Sequence, residues 1–103
     1  MNHTIVQETG STVLRVRGEL DALSCQELRL VLDTLAAKAA QGKCVVIVDL
    51  SELRLIDSSG VGVMVSLYKR VRANGGEVRF VGVTAQPLVI FKLLRLDRAF
   101  ELS

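Results

Sequence analysis

Histidine, proline and tryptophan are nearly missing from this chain: its 103 residues include one His, one Pro and no Trp, and three Phe with one Tyr are the whole aromatic complement. Each scarcity removes a class of function. The single histidine, His3, stands beside the N-terminus, where mobility is expected, so no serine elsewhere has an evident imidazole base of the hydrolase kind. With so few rings there is little to stack on bases, and the groups Lys69, Arg70, Arg72 and Lys92, Arg95, Arg98 read as solvated faces, which argues against nucleic acid as a partner. Two cysteines, Cys25 and Cys44, are too few for a disulfide framework and lack C-x-x-C spacing. They read as buried residues of a cytoplasmic protein. Eight Gly and one Pro form no linker or low-complexity stretch. The longest apolar runs, 44–48 and 88–91, fall far short of the ~20 residues that cross a bilayer, so a membrane span is excluded. The opening Met1-Asn2-His3-Thr4-Ile5 has neither the basic start nor the apolar core of a secretion signal.

What is present is a chain of single-domain length, 1–103, half of it hydrophobic, with a net charge of +2. A chain of this size buries roughly 60–65% of its unfolded surface and folds alone. Residues 12–17 alternate apolar and polar in their second half, as a strand with one wet face does. A weaker strand at 5–8 precedes them across Thr9-Gly10-Ser11, which predicts an antiparallel hairpin. Ser24 and Glu27 have capping-box spacing, and Leu28, Val31, Leu32, Leu35 and Ala39 then recur with helical period. This predicts a helix over about 22–41, stopped by Gly42. Residues 44–48 are apolar on both faces, as in a central strand covered on both sides, and 49–57 read as a loop.

A second helix is expected over 58–73, with Gly60, Val61, Met64, Leu67, Tyr68 and Val71 inward and Gly62, Ser66, Lys69 and Ala73 outward. Asn74-Gly75-Gly76 ends it, a strand follows at 77–83, and Thr84 caps a third helix with Pro87 in its first turn and Val89, Ile90, Leu93 and Leu94 as its core face. Residues 96–102 read as a short strand or an extended tail. The order β-β-α-β-α-β-α is that of an α/β fold with a mixed sheet of four to five strands and right-handed parallel crossovers. Such crossovers bring Glu19, Asp21, Asp57, Ser58 and Thr84 to one edge of the sheet, where ligand sites of these folds lie.

Asp57-Ser58-Ser59-Gly60 is the segment with the most chemistry. It opens a helix whose first turn has unpaired N–H groups and the positive end of the macrodipole, a setting that suits a phosphate, although Asp and Ser are also the commonest helix caps. A serine on a strand-to-helix turn suggests a hydrolase elbow, but Ile56 stands where the elbow needs glycine. No G-x-x-x-x-G-K-[ST] loop and no metal-ligand spacing occurs either. The chain reads as non-catalytic, with no cofactor and no metal.

Four segments, Gly18-Glu19-Leu20-Asp21, Val48-Asp49-Leu50-Ser51, Ile56 through Gly62 and Leu96-Asp97-Arg98-Ala99-Phe100, give the chain a resemblance over nearly its whole length to the STAS-domain anti-sigma factor antagonists of bacterial partner switching. The Asp-Ser-Ser-Gly core is its specific part. The resemblance implies the STAS fold and phosphorylation of the serine that follows the aspartate, here Ser58. It implies as partners a GHKL-type serine kinase that is itself the anti-sigma factor and a PP2C-type phosphatase that resets the cycle. Unphosphorylated protein binds the kinase and frees its target; phosphate at Ser58 blocks that binding. Asp21 and Asp57 then shape the acceptor site, and Ser59, Gly60, Gly62, Val63 and Ser66 complete the partner-binding surface of a monomer or weak dimer. Relatives often continue into a further C-terminal helix, for which the sequence leaves no room. The competing readings are a constitutive STAS subunit of a transporter or signalling assembly, with Asp57 and Ser58 only capping a helix, and a small nucleotide-binding protein or enzyme.

Overall fold

Thr12, Leu14 and Val16 are buried while Arg15 and Arg17 are exposed along β2 (Ser11–Leu20), the alternation of a strand with one face on a core. The computed structural model of the protein describes residues 2–8, 10–39 and 45–100. In it, β2 pairs antiparallel with β1 (Asn2–Glu8), the expected hairpin, and parallel with β3 (Val45–Ile56). His3 is an exposed member of β1, in register with Val16. Beside β3 lies β4 (Glu77–Val81), also parallel, so the sheet has the order β1-β2-β3-β4. Helix α1 (Ala22–Ala39) joins β2 to β3, α2 (Ser58–Ala73) joins β3 to β4, and α3 (Ala85–Leu93) and α4 (Leu96–Ala99) follow. The mixed sheet and its parallel crossovers are as expected. Thr9, Gln41, Gly42 and Cys44 lie outside the described residues.

β3 departs most from the sequence reading, because the loop expected at 49–57 is strand as far as Ile56. Between Asp49 and Glu52, β3 advances three residues against two of β2, and between Leu53 and Leu55 two against one. These bulges change burial from every second residue (Val46, Val48, Leu50) to every third (Leu50, Leu53, Ile56), which hides the strand from a period-two search. The cover expected on both faces is, among the described residues, complete on one face only. Val46 and Val48 are fully buried among Leu28, Leu32 and Leu35 of α1 and Met64, Leu67 and Val71 of α2, whereas Val45 and Ile47 are only half-buried on the opposite face. That face carries the Arg15–Asp49 pair at 3.1 Å and the Arg79–Glu77 pair at 3.2 Å.

β4 ends at Val81 rather than Val83, because Gly82 turns the chain at φ 70 and a Cβ there would stand 2.8 Å from that of Ser51. The last two helices are placed by the four aromatic rings. Phe100 stacks on Phe80 at 4.2 Å, meets Phe91 edge-on at 5.8 Å and contacts Tyr68 at 5.0 Å, and Tyr68 Oη donates to the Ala99 carbonyl at 3.1 Å. This cluster corrects two expectations. Residues 96–99, read as strand or tail, form α4, and the buried face of α3 is Pro87 and Phe91. The large ring fills the core, and its neighbours Val89, Leu93 and Leu94 are turned outward, 55%, 73% and 54% exposed.

Candidate functional site

At the end of β3 the last residue, Ile56, is gripped by a side chain from α3. Gln86 Oε1 accepts from the Ile56 N–H at 2.9 Å and Gln86 Nε2 donates to its carbonyl at 3.0 Å. The next N–H, of Asp57, donates to the Leu20 carbonyl at 3.1 Å, which binds the end of β3 to the end of β2. Asp57 stays extended and caps α2, its Oδ1 accepting from the Gly60 N–H at 3.0 Å. Ser58 is therefore the first residue of the helix. Its side chain is exposed, and among the described residues its hydroxyl forms no hydrogen bond.

The residues around it divide between packing and surface. Gly60 is buried, and a Cβ on it would lie 2.7 Å from Ile56 Cγ1 and 2.8 Å from the Leu20 carbonyl oxygen. Its role is close approach of helix to strand. Val63, expected on the outer face, packs into the core with 6% exposure, although it also lines the groove between α1 and α2. Ser59 is half-buried, and Gly62 and Ser66 are exposed as expected. Among the described residues nothing beyond the helix's own backbone comes within 4 Å of a Cβ built on Gly62, so no packing among them calls for a glycine there, although one in an exposed helix interior costs about 0.5–1 kcal/mol relative to alanine.

Asp21 starts α1 and makes the capping box that the sequence reading placed three residues later. The Ser24 N–H donates to Asp21 Oδ1 at 2.9 Å, and the Asp21 N–H donates to Ser24 Oγ at 2.9 Å. The backbone and hydroxyl bonds from Ser24 hold the Asp21 carboxyl below the ordinary carboxylate range. One residue on, Cys25 is 1% exposed. Burial, and then the charge of Asp57, push its thiol above the usual value.

Three surface depressions border Asp57 or Ser58. The first, of ≈ 270 Å³, brings together Glu19, Asp21 and Asp57 as the crossover order predicted, with Gln86 in the place expected for Thr84. Thr84 occupies the cap position of α3 but its side chain makes no cap hydrogen bond. The second, of ≈ 400 Å³, is a groove between α1 and α2 with Arg29, Asp33 and Arg70 on its walls and Ser58, Ser59, Gly62 and Ser66 along one side. Ile56, Val61, Ile90, Leu93 and Leu94 make the third apolar, and Asp57 and Ser58 stand at its rim. Ser58 is thus shared by a charged groove and an apolar one. The polarity pattern of α1 gives no hint of Arg29 or Asp33, and Leu93 and Leu94, expected in the core, are exposed. Among the described residues no three His, Cys, Asp or Glu side chains group as metal ligands, and no helix is long and apolar enough to cross a membrane.

Sheet order, crossovers and the Asp-Ser turn heading α2 define a small mixed α/β domain that presents an unengaged hydroxyl at one edge. Residues 3–103 match the family model of the STAS domain, and the chain belongs to that family. It is 30% identical to the anti-sigma F factor antagonist of Paenibacillus polymyxa over 93 residues, 90% of this chain and 75% of that protein. To the anti-sigma-B factor antagonist of Bacillus subtilis it is 25% identical over 103 residues, 100% of this chain and 91% of the relative. Its fold is similar to that of the Bacillus cell fate determinant SpoIIAA in the phosphorylated form, with a TM-score of 0.76, 20% identity and coverage of 94% of this chain and 86% of the other. It is also similar to a sulfate transporter family protein from Wolinella succinogenes, at TM-score 0.73, 17% identity and coverage of 92% and 75%.

Proposed function

We propose that this chain, folding as one unit over 1–103 and working in the cytoplasm without catalytic activity of its own, is an anti-sigma factor antagonist switched by phosphorylation of Ser58. The observation that carries this reading is the exposed, unengaged Ser58 hydroxyl on the ridge between the α1–α2 groove and the apolar depression of α3. The names of the relatives and the phosphorylated state of one fold neighbour support it. The partner is a GHKL-type serine kinase that is itself the anti-sigma factor. It transfers the γ-phosphoryl of ATP: the Ser58 Oγ–P bond forms as the bond to ADP breaks, and the hydroxyl proton leaves to a base on the kinase. A PP2C-type phosphatase reverses the modification.

Phosphate adds about −1.5 to −2 charges at pH 7 beside Asp57 and on the rim of an apolar depression. A penalty of only ~1.4 kcal/mol there weakens binding tenfold. Incubation of the chain with the kinase and ATP, followed by peptide mass spectrometry, is expected to place the phosphate on Ser58, and Ser58→Glu to weaken kinase binding at least tenfold. Phosphate confined to another residue, or undiminished binding by Ser58→Glu, would refute the reading. Similarity to the sulfate transporter family protein favours a second reading, a constitutive STAS subunit of a larger assembly. In that case Ser58→Ala leaves cellular function intact and the chain co-purifies stably with the assembly.

A further inference from the structure

Resting on the reading that Ser58 receives a phosphate, we infer that Arg29 is the counter-ion within the chain that captures this phosphate and closes the groove between α1 and α2. Arg29 and Ser58 line the same ≈ 400 Å³ groove from opposite helices. Its other cation, Arg70, is already engaged by Asp33 from α1. Arg29 is exposed and, among the described residues, has no ion pair or hydrogen bond. A phosphate on Ser58 therefore enters a setting with the Asp57 carboxylate adjacent in the chain, the Asp33–Arg70 pair along the groove, and one unengaged guanidinium. Asp57 already accepts from the Gly60 N–H, and on the α3 side the depression that Ser58 borders is lined by Ile90, Leu93 and Leu94.

A guanidinium fork binds two phosphate oxygens at once, in a geometry that an ammonium cannot reproduce. The resulting bridge ties α1 to the first turn of α2 and roofs the groove above Gly62, the glycine that no packing among the described residues requires. Phosphorylation then acts twice, by adding charge and by occluding the groove that the partner enters. Before modification, Arg29 is free for the partner's own acidic groups.

The test uses the full chain with phosphoserine inserted at position 58 during translation, so that no kinase is needed, and reads the second phosphate ionisation by phosphorus NMR at low salt. One unit charge at ~4 Å in water lowers that ionisation by about 0.7 of a pH unit from its ordinary value near 6. The parent chain is expected to titrate that much below Arg29→Gln, with Arg29→Lys between them and Arg70→Gln close to the parent. Circular dichroism of each variant checks the fold. Equal titration midpoints for the parent and Arg29→Gln, with both folded, overturn the assignment of Arg29. A kinase that leaves Ser58 unmodified in the separate mass-spectrometric experiment overturns instead the reading on which it rests.

Discussion

Two glycines in one turn of α2 are expected to respond oppositely to the same substitution. An alanine Cβ at position 60 would lie 2.7 Å from Ile56 Cγ1, 2.8 Å from the Leu20 carbonyl oxygen and 2.9 Å from Leu20 Cγ, whereas carbon atoms rest at about 3.5–4.0 Å. The Leu20 oxygen has little freedom to retreat, because it accepts the Asp57 N–H that joins the ends of β2 and β3. Relief requires the first turn of α2 to lift from the sheet, an overpacking cost of about 1–3 kcal/mol. At position 62 the new methyl meets nothing among the described residues within 4 Å beyond the helix's own backbone, and alanine gains about 0.5–1 kcal/mol of helix propensity. Propensity enters both variants with the same sign, so their difference isolates the steric cost at position 60. Urea unfolding followed by circular dichroism should give Gly62→Ala a midpoint above the parent and Gly60→Ala one below it. With slopes of about 1–3 kcal/mol per molar urea, the two should differ by at least ~0.3 M. Equal midpoints would refute the close approach of α2 to β2. Gly62→Ala adds a second outcome: with stability raised, weaker kinase binding would locate the partner against α2.

Removing the Gln86 amide leaves the Ile56 N–H and carbonyl without these partners, so Gln86→Ala should lower stability by about 1–2 kcal/mol. It should also speed amide exchange at Ile56, measured by hydrogen-exchange NMR. Phe91 is fully buried against the rings of Phe80 and Phe100; Phe91→Ala should cost about 3–5 kcal/mol in the same urea assay and release α4. The Asp21 carboxyl titrates below its ordinary 3.8 because Ser24 bonds its charged form. A carboxyl depressed in the folded state stabilises the fold above its unfolded value and loses that effect as pH falls through its folded value. Asp21→Ala should therefore unfold at lower urea than the parent at pH 7, and the gap should close on acidification below pH 3.8. A gap independent of pH would place the stabilisation elsewhere.

Much of the fold and part of the candidate site were legible in the sequence, and each departure has its own physical reason. Alternation in β2 and the three-four spacing of α1 and α2 identified those elements because each buries a single face with constant period. β3 beyond Val48 was lost because its bulges break the period. Of the expected core face of α3 only Ile90 packs against the core, partly buried, because Val89, Leu93 and Leu94 compete with Phe91 and hydrophobicity alone does not rank them. Ring geometry against Phe80 and Phe100 does. The capping box was misplaced by one turn because Asp21 and Ser24 are both good caps. Arg29 and Gln86 gave no local signal at all, since each acts on a residue about thirty positions away in sequence.

By itself, then, the sequence determined the parallel crossovers, the gathering of Glu19, Asp21 and Asp57 at one edge, and the placing of Ser58 at the head of a helix. These follow from short-range preferences: cap chemistry, apolar period and the handedness of strand-helix-strand units. Only the tertiary structure decided that Val63 packs into the core, that Leu93 and Leu94 are surface, and that an arginine unpaired among the described residues stands across the groove from Ser58. Side chains far apart in the chain meet through the angle and depth at which helices settle on the sheet. That settling depends on the volume of each core residue and the space left by its neighbours, which no local pattern records.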